Sequence, residues 1–238
     1  MAGEGTTWRE LAPATDPAQR RAFLDARRRS HRDRYNRLHA ASYDEEWGQI
    51  SPSHHAFLKR LLATTPQNGI VLDIPCGTGK YWELVLESGP AVIGADQSMG
   101  MLAVARTKHP DVPVVCASLQ ELPLTATFDA VMCVDGIEDV GPEDWPTVLR
   151  RLHRSTRPGG CLYLTVEQLE EAEVRSSYEA ALERGDPVVP GEDFDGIGYH
   201  FFPTAAAIRS WVLGAGFDEL NEAVADFYRH LILRRRGG

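Results

Sequence analysis

The run VLDIPCGTGKYW, from Val71 to Trp82, decides the fold. It joins the apolar stretch Ile70 to Ile74 to the turn Gly77-Thr78-Gly79 and then to a helical pattern. A buried strand that feeds a glycine turn and then a helix opens a nucleotide-binding α/β sheet. The glycines let the backbone approach a ligand with no Cβ in the way. Asp73 stands near the carboxyl end of that strand, where such sheets bind their ligands. The place of a third dinucleotide-binding glycine is taken by Trp82, and Tyr81 stands where a P-loop has Ser or Thr. The loop therefore suits a nucleoside without a pyrophosphate. A bare strand-to-helix turn is the alternative, because a lone G-x-G is weakly specific.

Outward from this run, strands are expected over 70–74, 91–95, 113–116, 128–134 and 161–166. Helices are expected over 80–87, 99–107 and 143–155. Such alternation implies a mostly parallel sheet with helices on both faces and right-handed crossovers. Asp73, Asp96, Ser118 and Asp135 all fall at carboxyl ends of strands, around one crevice. Upstream, Pro17 to Leu38 reads as an Arg-rich helix with sparse apolar positions. Its basic run is a solvated face or, less simply, a partner-binding one. Residues 1–17 are expected to drape. Ser51-Pro52 opens a further helix. Downstream of Glu167, a helix over 169–184 leads to a long loop, 185–198, that holds Glu192, Asp193 and Asp195. A loop of that length suggests a lid or binding segment. A helix over 204–213 and an edge strand over 225–233 close the chain.

Composition narrows the function. The 238 residues carry 34 acidic against 25 basic groups, formally −9, which argues against a general nucleic-acid binder. Cys76, Cys116, Cys133 and Cys161 lie in or beside expected strands with no metal-ligand spacing, and read as buried thiols in a reducing compartment. No signal peptide is evident, and no apolar run approaches the ~20 residues of a membrane span. A cytoplasmic protein, monomer or homodimer, is the expectation.

Four further segments follow in order, and together they resemble the class I S-adenosylmethionine-dependent methyltransferases, over 57–234. Asp73-Ile74-Pro75-Cys76-Gly77-Thr78-Gly79 resembles the family's first motif, with Pro75 in place of its usual glycine. Val92 to Asp96 resembles the second strand, ending in the acid that holds the ribose hydroxyls. Phe128 to Cys133 resembles the fourth strand, and Arg157-Pro158-Gly159-Gly160 the turn into the fifth. The resemblance implies a Rossmann-like seven-stranded, mostly parallel sheet, an N-terminal helical cap and a lid insertion after the fifth strand. The expected division is an arm or cap over 1–55 and a cofactor-binding core over 56–238, with the lid over 167–203.

The same resemblance implies S-adenosyl-L-methionine as cofactor, with S-adenosyl-L-homocysteine as product. Asp96 would accept from the ribose hydroxyls, with Gln97 beside it. Gly77 and Gly79, with Pro75 and Cys76, would lie along the methionine part, and Asp73 would hold its ammonium. Ser118, where many relatives have Asp, would meet the adenine with Leu119. Met101 and Leu102 either flank the adenine or pack in the core. Val134 ends the fourth strand at the site. Tyr35, Tyr43 and Trp47 are cap candidates, and Glu167 and Tyr199 candidates from the lid side.

Methyl transfer from a sulfonium needs an ordered nucleophile and, for an O–H or N–H, a base. Catalytic candidates are His200, Asp135 and Glu138, and Asp139 replaces a familiar family His. His200 is either a base near neutral pH or a hydrogen-bonded His at a helix approach. An acidic mouth of Asp135, Glu138, Asp139 and Glu167 favours a cationic acceptor such as an amine, unless these acids cap helices. A small-molecule methyltransferase acting on N or O is the leading reading. The alternatives are a non-catalytic cofactor-binding module and another reaction on the same scaffold.

Overall fold

The computed structural model describes residues 8–10, 15–123, 128–195 and 198–237. Its strands are β1 (Ile70–Asp73), β2 (Ala91–Asp96), β3 (Val114–Cys116), β4 (Phe128–Cys133), β5 (Thr156–Glu167), β6 (Glu192–Phe194), β7 (Tyr199–Phe201), β8 (Phe217–Ala225) and β9 (Tyr228–Arg235). Its helices are α1 (Pro17–Arg34), α2 (Tyr43–Trp47), α3 (Pro52–Ala63), α4 (Trp82–Glu87), α5 (Met99–Lys108), α6 (Trp145–Ser155), α7 (Glu171–Glu183) and α8 (Ala205–Ala215). Seven strands form one sheet in the order β3-β2-β1-β4-β5-β9-β8. The first five pair in parallel, while β9 runs antiparallel to both β5 and β8. This is the mostly parallel sheet that the alternation implied and the Rossmann-like, seven-stranded form that the resemblance implied.

Successive strand residues point to opposite faces, so a two-faced sheet needs near-continuous apolar strands. Val71, Ala130, Met132 and Tyr163 pack with Phe57 and Leu61 of α3, Trp82 of α4 and Leu102 of α5. Their neighbours Leu72, Val131, Cys133 and Leu164 pack with Trp145 and Leu149 of α6 and Val212 of α8. Helix starts follow local chemistry. Asp16, Ser51, Ser98 and Thr204 each accept a backbone N–H from the first turn of their helices, at Gln19, His54, Met101 and Ala207. The chain order reverses between β1 and β4, which opens a crevice at their carboxyl ends.

Three expectations are corrected. The last strand, β9, lies inside the sheet, and β8 is the edge. Asp218, Glu219 and Glu222 give β8 a polar sequence suited to an exposed edge, which hides it from a search for apolar alternation. The loop expected over 185–198 contains β6, which pairs with β7 as a small antiparallel hairpin. Cys116 is exposed, whereas the other three thiols are buried. Most of the draping segment 1–17 lies outside the described residues. Within it, Trp8–Glu10 form one helical turn, and Trp8 Nε1 and Arg9 both donate to Glu171 of α7. No described helix is long and apolar enough to cross a membrane.

Candidate functional site

A cavity of about 920 Å³, counting its open mouth, sits at the carboxyl ends of β1, β2 and β4. Its floor is built by the turns that leave those strands. Asp96, the last residue of β2, lines it and is buried. Its Oδ2 accepts from the Gly77 amide at 2.9 Å and its Oδ1 from the Ser98 amide at 2.7 Å. Burial raises its pKa against those two bonds. A carboxylate has about four lone-pair sites, so acceptor capacity remains for a ligand. Gly77 adopts φ +52, a left-handed conformation that favours glycine and lets the turn fold back on Asp96. Farther along the floor, Ser118 Oγ is buried without a hydrogen-bond partner among the described residues.

The roof comes from α1, α2 and the segment between them. Asn36 Oδ1 accepts from Ser98 Oγ at 2.9 Å and from the Gly100 amide at 2.8 Å. Asp44 Oδ1 accepts from Thr78 Oγ1 at 2.5 Å, and its Oδ2 from Lys108 at 2.7 Å. These bonds tie the roof to the glycine turn and to the start of α5. At its other end, α1 is held by Arg20, which is buried. Arg20 donates to both oxygens of Glu192 in β6, to both of Glu143 and to the Pro187 carbonyl. The basic helix is thus not only a solvated face.

Beyond β4, Asp135 faces the cavity in a left-handed conformation, φ 51, with its amide donating to Thr165 Oγ1 at 2.9 Å. Its Oδ1 lies 2.9 Å from His54 Nε2, and its Oδ2 accepts from the Tyr81 hydroxyl at 3.1 Å. Lys80 Nζ is 3.8 Å away. Burial works against ionisation here, but His54, Lys80 and Tyr81 outweigh it and hold the carboxyl below its usual range. His54 Nδ1 in turn meets Ser51 Oγ at 2.7 Å, so the imidazole is fixed at both nitrogens.

Twelve of the sequence-derived candidates meet at this cavity. Pro75, Cys76, Gly77, Asp96, Gln97 and Met101 line one side; Ser118, Leu119, Val134, Asp135, Tyr35 and Tyr43 complete it. Leu102 packs in the core instead. Seven candidates lie elsewhere. Asp73 is buried behind the turn, where Trp82 Nε1 donates to its Oδ2 at 2.8 Å and its Oδ1 has no partner among the described residues. Desolvation pushes its pKa up to about 8. Gly79 is away from the cavity wall because it packs on the Trp82 ring. A Cβ there would stand 2.7 Å from Trp82 Cε3. Trp82 therefore does not crowd a ligand: it points back between helix and sheet.

The other five stand apart from the cavity wall as well. Tyr199 is buried and gives its hydroxyl to Glu192. Trp47 packs outside Tyr43 and His39, with ring centroids 5.4 and 5.5 Å away, and is half-exposed. Glu138 is buried behind the wall with Oε2 unpartnered, and burial, with Asp139 and Asp135 adding to it, holds its carboxyl well above the usual range. His200 Nδ1 meets Glu167 Oε2 at 3.1 Å. Burial would lower the His200 pKa, yet Glu167 and Asp139 raise it to about 9. That pairing favours the imidazolium form, and His200 stands outside the cavity wall. Glu167 is occupied by that pairing.

Sequence reasoning missed several wall residues. Arg28, His31 and Arg32 line the cavity from α1, next to the expected Tyr35. Their spacing is that of one helical face, and that face was hidden within a generally basic run. Asn36 left no signal, because its partners lie 62 and 64 positions away, and the partners of Asp44 lie 34 and 64 away.

The family described as "Methyltransferase domain" matches residues 71–160. Among curated proteins, the demethylmenaquinone methyltransferase of Corynebacterium urealyticum is 37% identical over 122 residues, covering 51% of this chain and 44% of that protein. The ubiquinone biosynthesis O-methyltransferase of Pseudomonas aeruginosa is 34% identical over 101 residues, covering 40% and 43%. The chain spans about half the length of the curated relatives it matches. Among solved structures, the 1,6-didemethyltoxoflavin-N1-methyltransferase of Burkholderia thailandensis, with bound 1,6-didemethyltoxoflavin and S-adenosylhomocysteine, superposes with a TM-score of 0.64. It is 18% identical and covers 94% of this chain and 92% of that one. A methyltransferase from Methanosarcina mazei gives 0.67 at 16% identity, covering 80% and 100%. At these identities the likeness is one of fold.

Proposed function

We propose that this chain, whose residues 71–160 match a methyltransferase-domain family, is a class I S-adenosylmethionine-dependent methyltransferase that moves a methyl group to an N or O nucleophile of a small molecule. The observation that carries this reading is Asp96: a buried carboxylate fixed by two backbone amides on the floor of a switch-point cavity. Ribose hydroxyls are the donors it fits. Ser118 Oγ, buried and unpartnered, offers a hydrogen bond to the base, and the turn at Gly77 offers backbone to the amino-acid part. Residues up to 55 act as the cap, residues 56 onward as the core, and 167–203 as the lid side of the acceptor pocket.

When bound, the sulfonium supplies an electrophilic methyl carbon, and transfer leaves a neutral thioether. The protein's part is to order the nucleophile in line behind that carbon. Asp135 stays ionised and accepts a hydrogen bond from the nucleophile's O–H or N–H. That bond orients the attacking lone pair, and the proton leaves through the carboxylate to water at the mouth. His54 and Tyr81 hold Asp135 in place.

Calorimetry with S-adenosylmethionine and S-adenosylhomocysteine tests the site, with Asp96→Ala as the control. Binding of both, lost in the variant, is expected. Absence of binding to the intact chain ends the proposal. Binding without transfer of a labelled methyl group to any small-molecule extract would make the chain a binding module.

A further inference from the structure

The geometry points to a planar aromatic acceptor, held against Tyr35 and Tyr43 with its nucleophilic O–H or N–H on the Asp135 carboxylate. This inference rests on the methyl-transfer reading of the same cavity.

The sequence suggested an acidic mouth and an amine. The structure shows those acids already engaged. Asp135 meets His54, Tyr81 and Lys80; Glu167 meets His200; Asp139 meets His31 at 3.1 Å. Glu138 is behind the wall. The wall also presents Arg28, Arg32 and Lys80, which offset Asp96, Asp135 and Asp139. An ammonium would meet Asp135, Asp139 and Glu167 already partnered and would face three cations, whereas a neutral O–H or N–H still finds a lone pair on Asp135.

Ring faces are what the cavity has to offer. Tyr35 and Tyr43 line it with centroids 6.2 Å apart and planes inclined by 54°. Each is backed by another ring: Tyr35 by His31, stacked at 4.5 Å, and Tyr43 by Trp47 at 5.4 Å. Their hydroxyls take no hydrogen bond from a described residue, so packing alone sets the rings. Burial and then neighbouring charges, Asp135 and Glu138 among them, raise the Tyr43 pKa, which fits a phenol held near that carboxylate. Tyr81, across the turn, stacks on His54 while bonding Asp135. Aromatic pairs prefer offset or edge-to-face geometry at such separations, and two inclined rings can take a third in that way. Transfer forms a bond from the ring's O or N to the methyl carbon. The C–S bond breaks with its electron pair kept by sulfur, and the proton leaves through Asp135 to water.

The test is calorimetry on protein saturated with S-adenosylhomocysteine, using 2-naphthol, decahydro-2-naphthol and cyclohexylamine. The two alcohols share a skeleton, and only the first has aromatic faces. We expect 2-naphthol to bind about tenfold more tightly than its saturated counterpart. Tyr43→Leu and, independently, Tyr35→Leu should remove that preference in protein kept saturated with S-adenosylhomocysteine, while Tyr43→Phe keeps it. Equal binding of the two alcohols, tighter binding of cyclohexylamine, or no binding of 2-naphthol overturns the inference. Failure of S-adenosylhomocysteine itself to bind overturns the parent reading, and this inference falls with it.

Discussion

The floor and the roof of the cavity are built in opposite ways. Floor contacts join residues close in sequence: Asp96 takes the amides of Ser98, two positions on, and of Gly77, nineteen back. Roof contacts join distant ones. Arg20 reaches Glu192, 172 positions away, and Asn36 reaches Gly100, 64 away. The floor is also mainly backbone, fixed by the strands themselves, whereas the roof hangs on a few charged or amide side chains. The floor should therefore survive loss of any roof contact, and the roof should fail piecemeal.

The hardest blow to the roof is Arg20→Ala. It leaves Glu192 and Glu143 without their cation, and Glu192 is fully buried. Breaking a buried pair from one side costs about 3–5 kcal/mol, so denaturant unfolding should show a loss of that size. Arg20→Ala combined with Glu192→Gln should recover part of it. On the floor, Asp96→Ala removes the charged acceptor and should weaken S-adenosylhomocysteine binding by about 3 kcal/mol, roughly a hundredfold. A loss under threefold would show that the floor does not hold the ribose. Asn36→Ala should cost about 1–2 kcal/mol, because two hydrogen bonds go. Limited proteolysis should then cut within residues 35–48 while the core stays intact. If the core unfolds with the arm, the two layers are one unit.

The smallest effect concerns His200. Its folded pKa, about 9, lies above its ordinary 6.5. The stabilisation from its pairing with Glu167 and Asp139 is thus fully present below pH 6.5 and is lost as pH rises through 9. Thermal melts should fall across that window, and the fall should shrink in His200→Gln. An unchanged profile would show that the His200–Glu167 pair does not contribute to stability.

The same contrast explains what could be read beforehand. Asp96, Gly77 and Ser118 sit where strand, turn and helix follow one another, so pattern alone placed them. His54, Asn36 and Asp44 sit in the arm, and only tertiary contact gives them roles. Asp73 was misplaced for a subtler reason. Strand position put it at the right end of β1, but which way its carboxylate pointed depended on Trp82, whose indole claimed it. The edge strand β8 and the hairpin β6–β7 escaped because their acids mask strand character: Glu192 looks like a surface residue until Arg20 is beside it.

Trp82 has one more consequence. A Cβ at Gly94 would stand 2.3 Å from its Cζ2, and one at Gly79 2.7 Å from its Cε3, so the indole occupies space that two glycines vacate. A smaller residue at 82 would remove the atoms nearest both positions, but a Cβ at 94 would still stand 3.0 Å from Cys76 Sγ. The indole thus acts as a template against which two backbone segments are moulded, while its Nε1 anchors Asp73.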